Sequence, residues 1–288
     1  MMNKNLVTVL LAFGLLHCTT FAQSTKRNWI NLWEEGSPYI NTSVVEREKT
    51  PEPNLRLTDV GNPAFVVYPP KENAPKTKTA IIIFPGGGYA HLAITKGGFA
   101  LADWFTAKGI TCFVVKYRVP KDRLAALQDG QRVVRLIRSQ AKKWGIDKNK
   151  IGVLGSSAGG HLCARLTNGD KKAMYESSDV HDKQDFQPSF TILMYPAYLE
   201  NKETGGIAEE TTISKRNAPT LIFQAKDDKS FIKGTQQYFQ KLSPMSPKHK
   251  AYFYERGGHG FGLSLTQEYK ASEWPNKAIE WMKEIKML

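Results

Sequence analysis

The run Ile151-Gly152-Val153-Leu154-Gly155-Ser156-Ser157-Ala158-Gly159-Gly160-His161 most limits what this chain can become. A short apolar run reaches a glycine, turns on a serine and passes through small residues into a helical pattern. Its centre is G-x-S-x-G over residues 155–159, with Ser157 in the middle. A strand-to-helix turn this sharp strains the central residue's backbone and holds its hydroxyl out at the top of a sheet. Glycines two before and two after let chain segments approach where a Cβ would clash. Ser156 fits worse, because Leu154 and Ala158 would then stand at the glycine positions. Ser157 is therefore expected to be a nucleophile rather than a structural turn serine.

The first residues read as a signal for export. Lys4 is the positive start, residues 6–16 are an apolar run too short to span a bilayer, and Thr20-Phe21-Ala22 offers small residues for cleavage after Ala22. A lipoprotein reading through Cys18 is the weaker one, since bulky His17 precedes the cysteine. Residues 1–22 are thus expected to leave a periplasmic or secreted protein with no membrane association of its own. Hydrophobic residues make up 41% of the chain, enough for a substantial core. Of three cysteines, Cys112 and Cys163 survive cleavage; both fall in apolar patterns and read as buried free thiols. No zinc-ligand spacing occurs, and neither a metal nor an organic cofactor is expected.

The net charge of +13 is partly concentrated on one helical pattern and its exit: Arg132, Arg135, Arg138, Lys142, Lys143, Lys148 and Lys150. No nucleic-acid-reading module accompanies it, so a nucleic-acid partner is not expected. A solvated basic face is the favoured reading, with attraction to acidic polysaccharide the salt-sensitive alternative.

Strands and helices alternate without repeats. Residues 23–54, with Trp29, Trp33 and Tyr39, read as an irregular arm lying on the domain that fills 55–288. Residues 54–60 and 64–68 look like strands joined by Gly61-Asn62 in a hairpin. The continuous apolar run 80–84 predicts a strand buried on both faces. Further strands are expected at 110–117, 150–154, 189–195, 219–224 and 250–255, and helices at 96–108, 127–144, 231–242 and 268–287. The alternation predicts one α/β domain: a largely parallel sheet, antiparallel only at its N-terminal edge, with helices on both faces. Residues 198–215 are the main internal excursion, too short for a separate cap, so an open site is expected.

A serine nucleophile needs a base, an acid to orient that base, and donors for an oxyanion. Among the histidines, His17 leaves with the leader, His249 begins a strand, His181 sits in a charged stretch and His161 lies one turn into a helix. His259, in Gly257-Gly258-His259-Gly260-Phe261-Gly262, stands in a flexible loop before the last helix and is the expected base. The acid belongs in a loop after a strand, where Asp227 and Asp228 both qualify. The oxyanion donors are expected from the backbone of Ala158 and of Pro85-Gly86-Gly87-Gly88-Tyr89, chiefly Gly87 and Gly88.

Beyond these sites, the matching stretches are Asn31-Leu32-Trp33-Glu34-Glu35-Gly36, Phe84-Pro85-Gly86-Gly87-Gly88-Tyr89, Lys116-Tyr117-Arg118, Leu127-Gln128-Asp129 and Trp144-Gly145-Ile146-Asp147. With the serine and histidine loops, in this order, the chain resembles the α/β-hydrolase superfamily, and within it secreted bacterial acetyl-xylan-esterase-like carbohydrate esterases. The family's His-Gly-x-x-Asp falls on Gln224, Ala225 and Asp228, so the resemblance selects Asp228 while departing at the first two positions. It implies a Ser157–His259–Asp228 triad acting on an acylated carbohydrate by way of an acyl-enzyme. Tyr89, His91 and the N-terminal tryptophans are candidate sugar contacts. A prolyl-oligopeptidase-type peptidase or amidase, which shares the Gly-His-Gly-Phe neighbourhood, and a noncatalytic glycan binder on the same scaffold are the alternatives.

Overall fold

Five consecutive buried residues, Ala80–Phe84, form a strand with a parallel neighbour on each side. A strand in that position meets helices on both faces, which is why it carries no polar residue. The computed structural model describes residues 27–168 and 172–288, so the leader reading lies outside the described residues.

The strands are β1 (Ile30–Asn31), β2 (Arg47–Thr50), β3 (Arg56–Thr58), β4 (Ala64–Tyr68), β5 (Ala80–Phe84), β6 (Thr111–Lys116), β7 (Ile151–Ser156), β8 (Thr191–Met194), β9 (Thr220–Ala225) and β10 (Lys250–Tyr254). The helices are α1 (Ala100–Thr106), α2 (Arg123–Ser139), α3 (Ala158–Asn168), α4 (Ile232–Leu242) and α5 (Trp274–Glu284). The main sheet has eight strands in the order β1-β4-β6-β5-β7-β8-β9-β10. Pairing is antiparallel at β1–β4 and β4–β6 and parallel from β6 onward, as the alternation predicts.

Strand alternation shows which helices lie on which face. Phe223 and Gln224 are successive residues of β9 and point to opposite faces. Phe223 packs on Trp274 of α5, and Gln224 reaches Thr235 of α4. Phe105 of α1 meets Trp274, which puts α1 with α5; Asn168 of α3 donates to Tyr238 of α4, which puts α3 with α4. Helix α2 packs on α3. The sheet is therefore covered on both sides. The chain leaves β5 for β6 on one side and later returns to β7 on the other, so strand order reverses at β5. Ligands of open α/β sheets sit at such a point, beyond the carboxyl ends of the strands.

Three local expectations fail. Residues 54–60 and 64–68 do not form a hairpin: β3 pairs with β2 in a separate two-stranded sheet, whereas β4 pairs with β6. The Gly61-Asn62 signal was real as a break but did not set pairing, because β4's all-apolar start is buried only beside β6. The arm is not wholly irregular either, since it supplies β1 to the main sheet and β2 to the two-stranded one. Helix α2 begins four residues before the periodic pattern, capped by the Asp122 carboxylate accepting from Ala125 N–H at 2.8 Å, and it ends at Ser139. Cys112 and Cys163 are free and buried, as expected.

The basic face of α2 is also not simply solvated. Arg132 is 2% exposed. It donates to the Leu32 carbonyl at 2.9 Å and to Asp182 at 2.9 Å, and it pairs with Asp179. Arg135 donates to the Gln184 carbonyl, and Arg138 to the carbonyls of Lys148 and Gln187. Beside them, Trp33 donates its indole N–H to buried Asp129 at 3.0 Å, fastening the arm to α2. Replacing Arg132 with Ala strips buried Asp182 of its close cation, leaving it the hydrogen bonds from Tyr175 and Ser178 and Arg135 at 3.9 Å, and it also frees the Leu32 carbonyl and Asp179. It is expected to cost about 3–5 kcal/mol of unfolding free energy, read from urea denaturation of the purified protein.

Candidate active site

The serine turn works because its glycines leave no side chain where the backbone passes. A Cβ on Gly155 would lie 2.1 Å from the Gly159 carbonyl oxygen, and one on Gly159 would lie 2.0 Å from the Phe84 carbonyl oxygen. Ser157 sits between them with φ +53°, left-handed for a non-glycine residue. Its N–H donates to the Met194 carbonyl at 3.0 Å, and His161 N–H donates back to its carbonyl at 3.0 Å. The strained residue is thus pinned on both sides, with its hydroxyl off the end of β7.

Loops after β9 and β10 bring the two partners. The Ser157 Oγ lies 2.8 Å from His259 Nε2, and His259 Nδ1 lies 2.7 Å from Asp228 Oδ2. The carboxylate accepts the Nδ1 proton, so Nε2 presents its lone pair to the Ser157 hydroxyl. Asp228 is 4% exposed and accepts a second bond, from Gln224 Nε2 at 2.8 Å. Burial pushes this carboxyl up, but the bonds from His259 and Gln224 outweigh it and hold it below the usual carboxylate range. Gln224, a departure from the family's histidine, therefore supports the acid directly.

Geometry also separates the two aspartates. Asp227 is exposed and accepts the N–H groups of Gly257 at 3.2 Å and Gly258 at 2.8 Å. It anchors the loop that carries His259, while Asp228 holds the ring. This division was invisible in the sequence, where the two residues are adjacent and chemically identical.

The glycine loop follows β5. Gly87 and Gly88 have φ +140° and +65°, and a Cβ on Gly87 would lie 1.9 Å from the His91 carbonyl oxygen. Gly86 N–H donates to Ser156 Oγ at 3.1 Å, so the serine passed over as nucleophile ties the loop to the serine turn. The N–H groups of Gly87, Gly88 and Ala158 donate to no protein acceptor among the described residues. Three unspent donors beside a serine hydroxyl are what a developing oxyanion requires.

The two predicted sugar contacts are placed elsewhere. Tyr89 is 2% exposed and its hydroxyl bonds His161 Nδ1 at 2.8 Å, so the ring packs behind the loop instead of facing a ligand. The next residue after a flexible glycine run looked available, but φ +57° turns its side chain inward. His91 is half-buried against the Gly87 turn, with Nδ1 shut off from solvent. Burial, then Lys49 and Arg56, lower its basicity. Trp33 is likewise buried. Tyr198 and Phe231, half-buried beside the site, went unnoticed because one lies in the irregular excursion and the other at the first position of a helical pattern, where nothing in the sequence says which way a ring points.

Behind Tyr89, the excursion 198–215 delivers Glu210 to α2 and α3. Its carboxylate pairs with Arg123 and lies 3.6 Å from Arg165 and 3.2 Å from His161 Nε2. Burial alone would raise this carboxyl; His161, Arg165 and Arg123 outweigh it and hold it at about 2. Burial lowers the His161 imidazole against the opposing pull of Glu210.

The fold is that of an α/β-hydrolase, with serine, histidine and aspartate in line beside three unspent backbone donors. A family model described as BD-FAE matches residues 66–181. The acetylxylan esterase of Xylanibacter ruminicola is 29% identical over 240 residues, covering 75% of this chain and 47% of that protein. Endo-1,4-beta-xylanase B of Butyrivibrio fibrisolvens is 25% identical over 225 residues, 68% of this chain and 34% of that one. The chain thus spans about half or less of the length of these curated relatives. The crystal structure of an acetyl ester-xyloside bifunctional hydrolase from Caldicellulosiruptor lactoaceticus superposes with TM-score 0.73 at 27% identity, over 91% of this chain and 97% of that one. The chain is similar to acetyl-xylan-esterase-like α/β-hydrolases.

Two outcomes follow from this geometry. Asp228→Asn is expected to lower turnover of a p-nitrophenyl ester roughly ten-thousand-fold by leaving the imidazole in the wrong tautomer, whereas Asp227→Asn, whose amide oxygen still accepts from the loop, stays within about tenfold of wild type. Steady-state kinetics of the two variants checks this. Glu210 is more acidic folded than its ordinary 4.5, so ionised Glu210 stabilises the fold above that value and the gain fades as pH falls towards about 2. Glu210→Gln is therefore expected to melt lower than wild type at pH 7, with the gap closing on acidification in thermal melts.

Proposed function

We propose that this protein is an exported serine esterase that removes O-acyl groups, acetyl foremost, from plant-type polysaccharide or oligosaccharide. The observation that carries this is the chain of contacts from Ser157 through His259 to Asp228, set beside the unspent donors of Gly87, Gly88 and Ala158. The names of the relatives supply the substrate class: acetylated xylan in one, acetyl esters with xylosides in another.

In this reading His259 Nε2 takes the Ser157 proton as Oγ attacks the ester carbonyl. The carbonyl oxygen gathers negative charge against the Gly87, Gly88 and Ala158 N–H groups. The bond from carbonyl carbon to the sugar oxygen breaks, and the imidazolium gives its proton to that oxygen. Water then repeats the sequence on the acyl-enzyme, with His259 as base, and Ser157 regains its proton as the acid leaves. Asp228 stays ionised throughout and steadies the imidazolium. Losing one cradle donor costs about 3–4 kcal/mol of transition-state stabilisation in enzymes of this design.

The test is a parallel assay of acetylated xylan, p-nitrophenyl acetate and aminoacyl anilides, with acetate release followed directly. Release from the xylan is expected. Ser157→Ala is expected to remain folded by circular dichroism, lose on the order of a million-fold in kcat and no longer take up a fluorophosphonate probe. Turnover of the anilides alone would replace the esterase reading with a peptidase, and a wild-type protein that the probe does not label would leave only a glycan binder.

A further inference from the structure

The substrate contacts expected from Tyr89 have to come from somewhere else, and the residues that flank Ser157 show where. Tyr198 is half-buried, left-handed at φ +57°, and sits four residues beyond β8. The backbone just before it is tied to the nucleophile, since Ala197 N–H donates to the Ser157 carbonyl at 3.1 Å. Its hydroxyl lies 3.5 Å from where a Gly88 Cβ would be, at the lip of the oxyanion cradle, and makes no hydrogen bond to the protein among the described residues. On the other side its ring meets Phe231 edge-on at 5.7 Å, and Phe231 meets the His259 ring at 4.9 Å. The two aromatics form a continuous wall from the cradle to the general base.

We propose that Tyr198 and Phe231 form the subsite for the leaving sugar and that Tyr198 is the residue that selects it. This rests on the esterase reading above and adds the place of the alcohol. The wall ends on the imidazole, and the imidazole hands its proton to the leaving oxygen, so the group attached to that oxygen lies along it. The half-buried Phe231 ring suits the C–H face of a pyranose, since the Tyr198 ring is already braced by Tyr89 and Arg123. The spare phenol hydroxyl supplies the polar contact that orients one of its hydroxyls, the combination found in small-molecule sites generally. The wall is set before ligand arrives: the Arg123 guanidinium lies 4.6 Å from the Tyr198 ring, Tyr89 stacks on it at 6.2 Å, and Glu210 pairs with Arg123. Groups held in place by their neighbours bind without an ordering penalty.

The experiment compares wild type with Tyr198→Phe and Tyr198→Leu on an acetylated xylo-oligosaccharide, ethyl acetate and ethyl butyrate. The first two donors share an acyl group and differ in the alcohol; the last two share an alcohol and differ in the acyl group. Tyr198→Phe is expected to raise KM for the oligosaccharide roughly three- to tenfold, the worth of one neutral hydrogen bond, with kcat and both ethyl esters little changed. Tyr198→Leu, which also removes the ring, raises it further. Equal losses on the oligosaccharide and ethyl acetate, no loss on either, or a changed acetate-to-butyrate ratio would overturn the assignment. Wild type that cleaves ethyl acetate but leaves the oligosaccharide untouched defeats the carbohydrate part of that reading, and wild type inert on all three esters defeats the esterase reading itself, before any variant is compared.

Discussion

The passage of the Gly159 backbone against the Phe84 carbonyl sets the spacing on which everything at this site depends. With 2.0 Å between that oxygen and a hypothetical Cβ, no other residue lets α3 leave β7 while hugging β5. Push α3 outward by the width of a methyl group and Ala158 N–H moves away from the Gly87–Gly88 turn. The oxyanion cradle is assembled from two loops on neighbouring strands, and its width is the contact distance of those two backbones. The Gly155 contact with the Gly159 carbonyl fixes the same turn from the other side, and Ser156 Oγ, receiving Gly86 N–H, closes the connection.

That dependence explains what could be read from the residues alone. Contacts made by absent side chains leave a mark in sequence: glycines at 155, 159 and 86–88 mean close backbones, and a continuous apolar run such as 80–84 means a strand covered on both faces. The parallel sheet and the meeting of Ser157, His259 and Asp228 follow from such marks, the choice between the aspartates resting on family resemblance. What could not be read depends on direction. Tyr89 follows the glycines and looked free to face a ligand, but its left-handed backbone aims it at His161. β3 had the pattern of a main-sheet strand, yet it found a partner in the arm, because a three-residue strand carries too little burial to specify its neighbour. A two-residue strand such as β1 leaves no periodicity at all.

Charge tells a similar story. A count of +13 and a line of arginines on one helix suggest an outward-facing surface. In the fold, Arg132, Arg135 and Arg138 spend their donors on carbonyls and carboxylates of other segments, and Arg132 is as buried as the core around it. Guanidinium groups suit this work: their fixed fork can satisfy several acceptors at once where a chain must cross a helix without secondary structure of its own. Arg132 gathers the arm and residues 179–182 onto α2, and Arg123 with Glu210 does the same for the excursion beside the site. The basic helix is a clamp for loops before it is a surface.

Strain and support then meet in one place. Of the non-glycine residues with left-handed backbones, Tyr89, Ser157, Tyr195 and Tyr198 all lie around the nucleophile. Each such residue costs about 1–3 kcal/mol and persists only where its surroundings over-determine it. Here the surroundings can be named. Ser157 is held by Met194 and His161, Tyr195 N–H by the Phe223 carbonyl at 2.7 Å, Tyr89 by His161, and Tyr198 by Arg123 and the ring of Tyr89. The supports share members, so the strained residues are not independent: His161 touches Ser157, Tyr89 and, through Glu210, the arginine that braces Tyr198. A fully buried imidazole thereby couples the serine turn, the glycine loop and the aromatic wall into one unit. That coupling is why His161, the histidine the serine motif carries with it, belongs to the architecture of the site even though the ring that meets the Ser157 hydroxyl is that of His259.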